Sequence, residues 1–455
     1  MRFRAALLAG FVVSAATTSA LAAGFTDASD PVQVSTDAFA DLSYPKAEHQ
    51  AEPHVALDPT DPRHLLAVAQ EGRFFDGGAR GIGAYVSSDG GRTWEGTLMP
   101  DLTVATGGEW ERATDPVAGF GPDGTAYVNS FAFNTERDDA TAVLLHRSTD
   151  GGRTWEGPFL VDRSDTFRQS YDKNWMTIDL GAGSPREGRI YVAWTNFLSG
   201  QSGSYSGSPL LIAHSDDGGE TWSEPVRAAR TRWAQGAIPL VAPDGTLHVV
   251  YLELFKGLLR IVRSTDGGAT FRKARIVTDI VLSALPGLRT GEDLPAATID
   301  PVTGMLHVVW QDGRYDAGDV LAVRSLDGRT WSAPIIVNDD EEGGVQFTPA
   351  VTAVGGQVHV VWYDSRESLD LPDLWTVRYA TSGNGGRTFG TNLNLTPTPF
   401  DMDVAAATDR GQFLGDYIGI VATGGRANPV WVDTRFPSSH TAALGQNDVV
   451  TVAIR

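Results

Sequence analysis

Residues 148–155 read Ser-Thr-Asp-Gly-Gly-Arg-Thr-Trp, and close copies of this stretch occur at five other places in the chain. Four of the six copies keep both the full spacing and the Asp, one is a residue short, and one has the full spacing but Asn in place of Asp. The copies begin at Ser87, Ser148, Ser215, Ser264, Ser325 and Ser382, which are 61, 67, 49, 61 and 57 residues apart. A motif repeated at this spacing indicates a repeat architecture.

The repeated stretch has the composition of a tight turn. Its Asp can accept hydrogen bonds from backbone N–H groups of the same turn. Its Gly pair supplies positive φ angles without steric clash. The final Trp or Phe can pack beneath the turn as an apolar anchor. Short apolar runs flank most copies, so each turn is predicted to join two antiparallel strands.

Two more strands are predicted upstream of each turn, such as residues 296–300 and 305–310. Four short antiparallel strands per repeat predict an all-β fold, a β-propeller of four-stranded blades. Seven first strands are expected to begin near His54, Pro116, Trp175, Ile238, Ala296, Val351 and Tyr417. The last repeat has three strands, and residues 31–35 are predicted to supply its fourth and close the ring. The alternative is a six-bladed propeller with one repeat as decoration.

The first 22 residues have the pattern of a secretory signal peptide. Arg2 and Arg4 precede an apolar run at residues 5–13, and Ala-Leu-Ala at 20–22 fits a cleavage site. We therefore expect a signal peptide at 1–22, an N-terminal segment that supplies the closing strand at 23–53, and the propeller at 54–455. This organisation predicts a secreted or periplasmic protein. No later segment is long and apolar enough for a membrane span.

Composition excludes several classes of function. The formal charge of −20 disfavours nucleic acid as a partner. The chain has no Cys, so disulfides and thiolate chemistry are excluded. The acidic run at residues 339–342 could hold a structural Ca²⁺ through its oxygens, but it lacks the spacing of a known calcium loop. We expect no cofactor, no catalytic metal and a monomer.

The motif Ser-x-Asp-x-Gly-x-Thr-Trp is the Asp-box, or BNR repeat, and the chain resembles the sialidase-like Asp-box propeller superfamily. That superfamily includes sialidases, other glycosidases and binding propellers. The resemblance implies that the Asp-boxes are structural turns on the face opposite the active site. One departure is that sialidases carry Phe/Tyr-Arg-Ile-Pro ahead of the first blade, where residues 51–54 here read Ala-Glu-Pro-His.

A second repeated pattern, Trp-x-Asp-x-Arg, ends the second strand of three successive repeats and contributes Arg314, Arg366 and Arg435. Sialidases clamp the substrate carboxylate with three Arg, so the resemblance implies that these residues bind an anionic sugar. The alternative is that each Arg pairs with the neighbouring Asp and ties the blades together.

The loops that enter the first strands supply the remaining candidates. The resemblance implies a Tyr nucleophile activated by Glu, with a separate Asp as acid and base. By position, Tyr417 or Tyr171 is the candidate nucleophile and Glu253 or Glu111 its base. The acid is then Asp115 or Asp172, and we expect Arg112 and Lys173 to help bind substrate.

The sequence therefore predicts a sialidase-like glycoside hydrolase that acts on a glycan at the polar face of the propeller. Two alternatives remain at this point: a propeller that binds a glycan or a protein without catalysis, and a polysaccharide lyase on the same fold. The fold alone does not choose between them.

Overall fold

The computed structural model describes residues 25–39, 49–283, 287–289, 293–341, 343–367, 373–436 and 446–455. The predicted signal peptide lies outside the described residues. β-Strands dominate, together with two single-turn 3-10 helices at Val104–Thr106 and Met402–Val404. Among the described residues, no helix has the length and apolar character needed to cross a membrane.

Most of the described strands fall into seven antiparallel sets of four, which we call units 1 to 7 in chain order; a single pairing of Ala79 with Ala113 joins units 1 and 2 into one eight-stranded sheet. The first described strand is β1 (Val32–Gln33). Unit 1 contains β2 (Gln50–Leu57), β3 (Leu65–Arg73), β4 (Ala79–Ser87) and β5 (Glu95–Leu98). Unit 2 contains β6 (Arg112–Phe120), β7 (Ala126–Phe133), β8 (Thr141–Ser148) and β9 (Glu156–Ser164). Unit 3 contains β10 (Gln169–Ile178), β11 (Ile190–Ser199), a short β12 (Tyr205–Gly207) beside β11, β13 (Leu210–Ser215) and β14 (Val226–Arg227).

The remaining units follow the same order. Unit 4 contains β15 (Ala234–Val241), β16 (Leu247–Glu253), β17 (Leu258–Ser264) and β18 (Arg275–Asp279). Unit 5 contains β19 (Ala296–Ile299), β20 (Leu306–Asp312), β21 (Asp319–Ser325) and β22 (Ile335–Ile336). Unit 6 contains β23 (Gln346–Val354), β24 (Gln357–Asp364), β25 (Leu374–Ser382) and β26 (Leu393–Asn394), with β27 (Phe400–Asp401) also on β25. A hairpin of β28 (Ala406–Thr408) and β29 (Gly411–Phe413) precedes unit 7, which contains β30 (Gly419–Thr423), β31 (Arg426–Asp433), β32 (Asp448–Thr451) and β1.

The N-terminal strand completes the last unit. β1 pairs with β32 in antiparallel register, with Val32 opposite Thr451 and Gln33 opposite Val450. The predicted pairing of the segment at 31–35 with the last repeat is therefore confirmed. The first strand of each unit also contacts the first strand of the next, and β30 of unit 7 contacts β2 of unit 1.

The Asp-boxes join the third and fourth strands of units 1 to 6, as predicted. In the second copy, Ser148 Oγ donates to Asp150 Oδ1 at 2.8 Å, and Asp150 Oδ1 accepts from the backbone N–H of Thr154 at 2.9 Å. In the third, Trp222 Nε1 donates to the carbonyl oxygen of Gly219 at 3.0 Å. Each of these two copies therefore forms its own hydrogen-bonded turn.

Several Asp-box turns are also held by the unit before them. The carbonyl oxygen of Gly267 in unit 4 accepts from Arg189 of unit 3 at 3.0 Å. The carbonyl oxygen of Gly90 in unit 1 accepts from Asn428 of unit 7 at 3.4 Å. These contacts couple neighbouring units on one face, so the repeated turn serves the framework.

The hydrophobic core lies between units. One cluster combines Val309 and Val320 of unit 5 with Val351 and Trp362 of unit 6. Because neighbouring units cover both faces of each sheet, apolar residues do not alternate with polar residues along these antiparallel strands. The same pattern is common in parallel sheets, which are also buried on both faces. The second strands of units 4, 5 and 6 carry a histidine at equivalent positions, and these residues, His248, His307 and His359, pack in this interior. Burial lowers the pKa of His307 and His359 to about 4, so they are neutral, as expected for packing residues.

Candidate active site

A β-bulge recurs near the start of the first strand in most units. The pairing with the second strand shifts between Ala51 and His54 in unit 1, and between Thr114 and Val117 in unit 2. Within the bulges, the backbone takes a left-handed conformation that is uncommon for residues other than Gly. The residues at these positions are Glu52 (φ 56°), Asp115 (49°), Lys173 (49°), Gly236 (66°) and Thr348 (49°), and Asp293 (53°) has the same conformation ahead of β19.

The bulges surround two adjoining cavities. A polar cavity of about 160 Å³ lies toward the loops between second and third strands. Its charged lining residues are Glu52, Arg73, Asp115, Asp172, Lys173, Arg289, Arg410 and Asp416. An apolar cavity of about 190 Å³ adjoins it and shares Lys173, Leu294 and Asp416. In units 1 to 6, each third strand starts on the side of the polar cavity and runs to an Asp-box. The Asp-box turns therefore lie at the opposite end of the units from the polar cavity.

Glu52 and Asp115 form a buried, hydrogen-bonded pair of carboxyl groups in the polar cavity. Glu52 is 2% exposed and Asp115 is 4% exposed. Gln70 Nε2 donates to Glu52 Oε2, and Thr114 Oγ1 lies 3.2 Å from that oxygen and 3.3 Å from Asp115 Oδ1. The backbone N–H of Lys173 donates to Asp115 Oδ2 at 3.0 Å.

The pair has the electrostatics of a proton-sharing site. Burial, together with the charge of Asp115, raises the pKa of Glu52 to about 7. Burial also raises the pKa of Asp115, against the opposing charge of Lys173. Two carboxyl groups in one desolvated site cannot both ionise easily. Near neutral pH, a substantial fraction of Glu52 therefore carries a proton, which makes it a candidate general acid.

Two arginines place positive charge in the same cavity. Arg73 is 3% exposed, and its guanidinium lies 4.1 Å from the centroid of the Phe413 ring. The guanidinium of Arg289 lies 4.3 Å from the same ring. Burial and the charge of Arg289 lower the pKa of Arg73 to about 10, so it stays protonated at neutral pH. Arg73 Nε and Nη2, and Arg289 Nε, are buried and have no hydrogen-bond partner among the described residues.

Lys173 stands between the polar and the apolar cavities. Its Nζ lies 3.6 Å from the centroid of the Tyr417 ring and 5.4 Å from that of Trp175. Within the described part of the chain, this ammonium group makes no hydrogen bond. Tyr417 OH donates to the carbonyl oxygen of Pro116 at 3.0 Å. Burial, with the charges of Glu52, Asp115 and Asp416, raises the pKa of Tyr417 well above its ordinary value.

Four residues predicted from the sequence thus lie together at the cavities: Asp115, Asp172, Lys173 and Tyr417. Asp172 Oδ2 accepts from Gln235 Nε2 at 2.8 Å. Glu253, expected as the base beside Tyr417, lines neither cavity. It forms ion pairs with Lys256, at 2.9 Å, and with Arg260. Although burial raises its pKa, these partners outweigh burial and hold the pKa below its ordinary value. The expected contact between Glu253 and Tyr417 is therefore absent.

The alternative candidates are engaged elsewhere. Tyr171 OH donates to Asp162 Oδ2 at 2.7 Å. Glu111 accepts from three consecutive backbone N–H groups, those of Thr135, Glu136 and Arg137. Arg112 pairs with Asp76 at 2.6 Å and donates to the carbonyl oxygen of Gly77 at 2.8 Å, which places it at the rim of the polar cavity.

The three Trp-x-Asp-x-Arg motifs do not converge on the cavity. Each Arg pairs with the Asp two residues before it, whose side chain is fully buried. Each Arg then reaches the last residue of the fourth strand of the preceding unit or the segment that follows this strand. The contacts are Arg314 with the Asp279 carbonyl oxygen at 2.7 Å, Arg366 with Asp339 Oδ1 at 2.5 Å, and Arg435 with the Thr398 carbonyl oxygen at 3.2 Å. The three Arg therefore do not form the expected clamp around a substrate carboxylate. Instead, each Arg ties its own unit to the preceding one, as the alternative predicted.

Sequence reasoning missed Glu52, Gln70, Arg73 and Arg289. A signal for Glu52 was present, because it precedes His54 by two residues just as Asp115 precedes Val117 in the next repeat. Arg289 lies in a segment outside the repeated motifs, and no pattern marked it. As to metals, the described residues contain no group of three or more His, Asp or Glu side chains that could hold an ion.

Comparisons with known proteins agree with this architecture. The profile of the BNR/Asp-box repeat family matches residues 213–224, which contain the third Asp-box. A search of curated proteins found no match. A protein of unknown function from Dyadobacter fermentans has a crystal structure that aligns with a TM-score of 0.51 at 15% identity, covering 94% of this chain and 99% of that one.

Two glycosidase structures align less closely. The α-L-arabinanase of Penicillium chrysogenum gives a TM-score of 0.49 at 16% identity, covering 74% of this chain and 94% of that one. The α-L-arabinofuranosidase of Fusarium graminearum gives 0.48 at 14% identity, covering 82% and 99%. This chain therefore carries the BNR/Asp-box repeat, and its fold is similar to that of the Dyadobacter fermentans protein.

Proposed function

We propose that this protein is an exported glycoside hydrolase that removes an acidic sugar from a glycan. One observation carries the proposal: Glu52 and Asp115 share a buried site with Arg73, Arg289 and Lys173 in a single cavity. A carboxyl group with a raised pKa can supply a proton, and buried guanidinium groups can bind a carboxylate. The proposal includes removal of residues 1–22 on export.

We also propose that the seven units close into a seven-bladed β-propeller around these cavities. Contacts between first strands support it, because they run in order through the units and return from β30 to β2. The pairing of β1 with β32 supports it as well, since the last unit then has four strands like the others. In such a ring the bulges face a common axis, as the shared cavities require.

The cavity suits one sugar ring that carries a carboxylate. An engineered cavity of about 150 Å³ accommodates one benzene ring, so about 160 Å³ is enough for one six-membered ring. The free Nε and Nη2 of Arg73 can bind a carboxylate through two parallel hydrogen bonds. Lys173 and Arg289 add positive charge to the same cavity.

Glu52 then donates its proton to the glycosidic oxygen while the bond to the sugar carbon breaks. Asp115 accepts hydrogen bonds in this state and supports the transfer. Since the two carboxyl groups touch, they are closer than the about 5–5.5 Å that separates acid and nucleophile in retaining glycosidases. We therefore assign the second role, removal of a proton from the attacking water, to Asp172 or Asp416 in the same cavity.

The test is product release from 4-methylumbelliferyl glycosides. The acidic set contains sialic, glucuronic and galacturonic acid, and the neutral set contains galactose and arabinofuranose. We expect release from at least one acidic glycoside, and a loss of at least about a hundredfold in Glu52→Gln or Asp115→Asn. Glu71→Gln is the matched control, because Glu71 is fully buried with a raised pKa but does not line the cavity.

Four outcomes contradict the proposal. Release from neutral glycosides alone would refute the acidic specificity, and undiminished turnover in Glu52→Gln would refute the assignment of the acid. An unsaturated product from a uronide would instead indicate a lyase that works through the same cations. Binding of acidic sugars without any release would indicate a binding protein.

A further inference from the structure

Phe255 has an unusual conformation and unusual exposure. It lies in the loop between β16 and β17 with φ at 63°, and 86% of its surface is exposed. A bulky residue in the left-handed region is strained. Burial of the ring does not offset this strain, because the ring faces solvent. Strained residues concentrate at functional sites, so the ring itself calls for a role.

Phe255 belongs to a row of aromatic side chains that crosses units 3 and 4. Its ring packs edge-on against Trp233, with centroids 5.4 Å apart. Arg232 lies 5.4 Å from the Trp233 ring and donates to the carbonyl oxygen of Ser206 at 2.8 Å. Beside Ser206, the rings of Tyr205 and Phe197 lie 5.5 Å apart. We call Phe197, Tyr205, Trp233 and Phe255 the aromatic strip.

The strip leads into the polar cavity. Trp233 immediately precedes β15, and Gln235, two residues further along this strand, lines the polar cavity. Two residues of a strand span about 7 Å. Gln235 also donates to Asp172, one of the cavity carboxylates. A chain that fills the cavity and continues outward along β15 therefore meets Trp233 first and then Phe255.

We propose that the aromatic strip binds the sugar rings that follow the terminal acidic sugar, so that the ligand is an oligosaccharide or polysaccharide. The identity of the ligand rests on the proposed function. The apolar C–H face of a pyranose stacks on the electron-rich face of an aromatic ring, while its hydroxyl groups stay in water. Arg232 and Lys256 flank the rings, which suits a polar chain better than an apolar protein surface.

The experiment is affinity electrophoresis of the full mature chain in native gels that contain polygalacturonate or α2,8-linked polysialic acid. We expect at least one polymer to retard the wild-type protein. Trp233→Ala and Phe255→Gly should weaken the apparent affinity about five- to tenfold, as the loss of one aromatic contact implies. Phe255→Tyr keeps the ring and should bind as the wild type does.

Two further measurements separate this role from a structural one. Phe255→Gly removes backbone strain, so its melting temperature should rise while binding falls. Tyr315→Ala is the matched control, since Tyr315 is 63% exposed in the corresponding loop of unit 5 but lies outside the strip. A wild-type protein that neither polymer retards, or equal retardation of Phe255→Gly and wild type, would overturn the inference. Strip-dependent retardation with no glycoside cleaved would refute the hydrolase alone.

Discussion

Replacing Glu52 by Gln would make one buried carboxyl group permanently neutral with almost no change in shape. Gln70 Nε2 and Thr114 Oγ1 already surround Glu52 Oε2, and an amide oxygen can accept hydrogen bonds in the same place. The amide nitrogen can donate to Asp115, as the protonated carboxyl group does. Glu52→Gln thus reproduces the protonated state of the pair and removes its titration.

The expected magnitude follows from the pKa. In the folded protein the pKa of Glu52 is about 7, compared with 4.5 for the exposed group. This shift of about 2.5 corresponds to about 3 kcal/mol. The folded state holds a proton that the unfolded state releases. The contribution of Glu52 to stability is therefore complete below pH 4.5 and is lost as the pH rises through 7.

Thermal unfolding at pH 4.5 and pH 8, followed by circular dichroism, measures this effect. Relative to wild type, Glu52→Gln should gain about 3 kcal/mol between these pH values, or roughly 3–4 °C in melting temperature for a chain of this length. Glu253→Gln tests the sign of this pH dependence. The pKa of Glu253 is lowered and its ion pairs stabilise the fold at higher pH, so this variant should lose stability relative to wild type as the pH rises. Parallel pH profiles of wild type and Glu52→Gln would refute the buried proton.

Three other substitutions probe the framework and the closing strand. Arg366→Ala leaves the buried carboxylate of Asp364 without its partner, so we expect a loss of about 3–5 kcal/mol in unfolding experiments but unchanged kcat in the fraction that folds. Asp150→Ala removes the acceptor of one Asp-box turn, and calorimetry should give a lower melting temperature with no change in KM. Burial raises the pKa of Asp448 to about 8, and Gln33 of β1 donates to it at 2.7 Å. This contribution to stability is lost as the pH rises through 8, so amide exchange in β1 should accelerate between pH 7 and 9 beyond its intrinsic rate, and Asp448→Asn should abolish the extra acceleration.

The framework could be read from the sequence because its determinants are local. The Asp-box binds its own backbone, as Asp150 does, so eight consecutive residues specify the turn. Four-strand spacing and the incomplete last repeat were enough to predict the pairing of β1 with β32. These features depend little on how distant units meet.

The site was only partly predictable because its chemistry forms between units. Asp115 and Lys173 stood out as charged residues ahead of first strands, and both line the cavity. Glu52 becomes a candidate acid only beside Asp115, which comes from the next unit, and no single repeat shows that meeting. For the same reason the sequence left two roles open for Arg314, and only the structure shows its contact with Asp279 of the preceding unit, which favours the tie between units.

Framework and site are linked through backbone strain. Glu52, Asp115, Lys173 and Thr348 all adopt left-handed backbone conformations at the bulges. Each such residue costs about 1–2 kcal/mol, so the four together oppose folding by about 4–8 kcal/mol. That sum is comparable with the whole stability of a typical domain, which is about 5–15 kcal/mol. The bulges can persist only because contacts between units fix the first strands, and the Asp-box ties and the Trp-x-Asp-x-Arg pairs are such contacts. Repeated motifs that do not line the cavity therefore stabilise the strained backbone that brings Glu52 and Asp115 together.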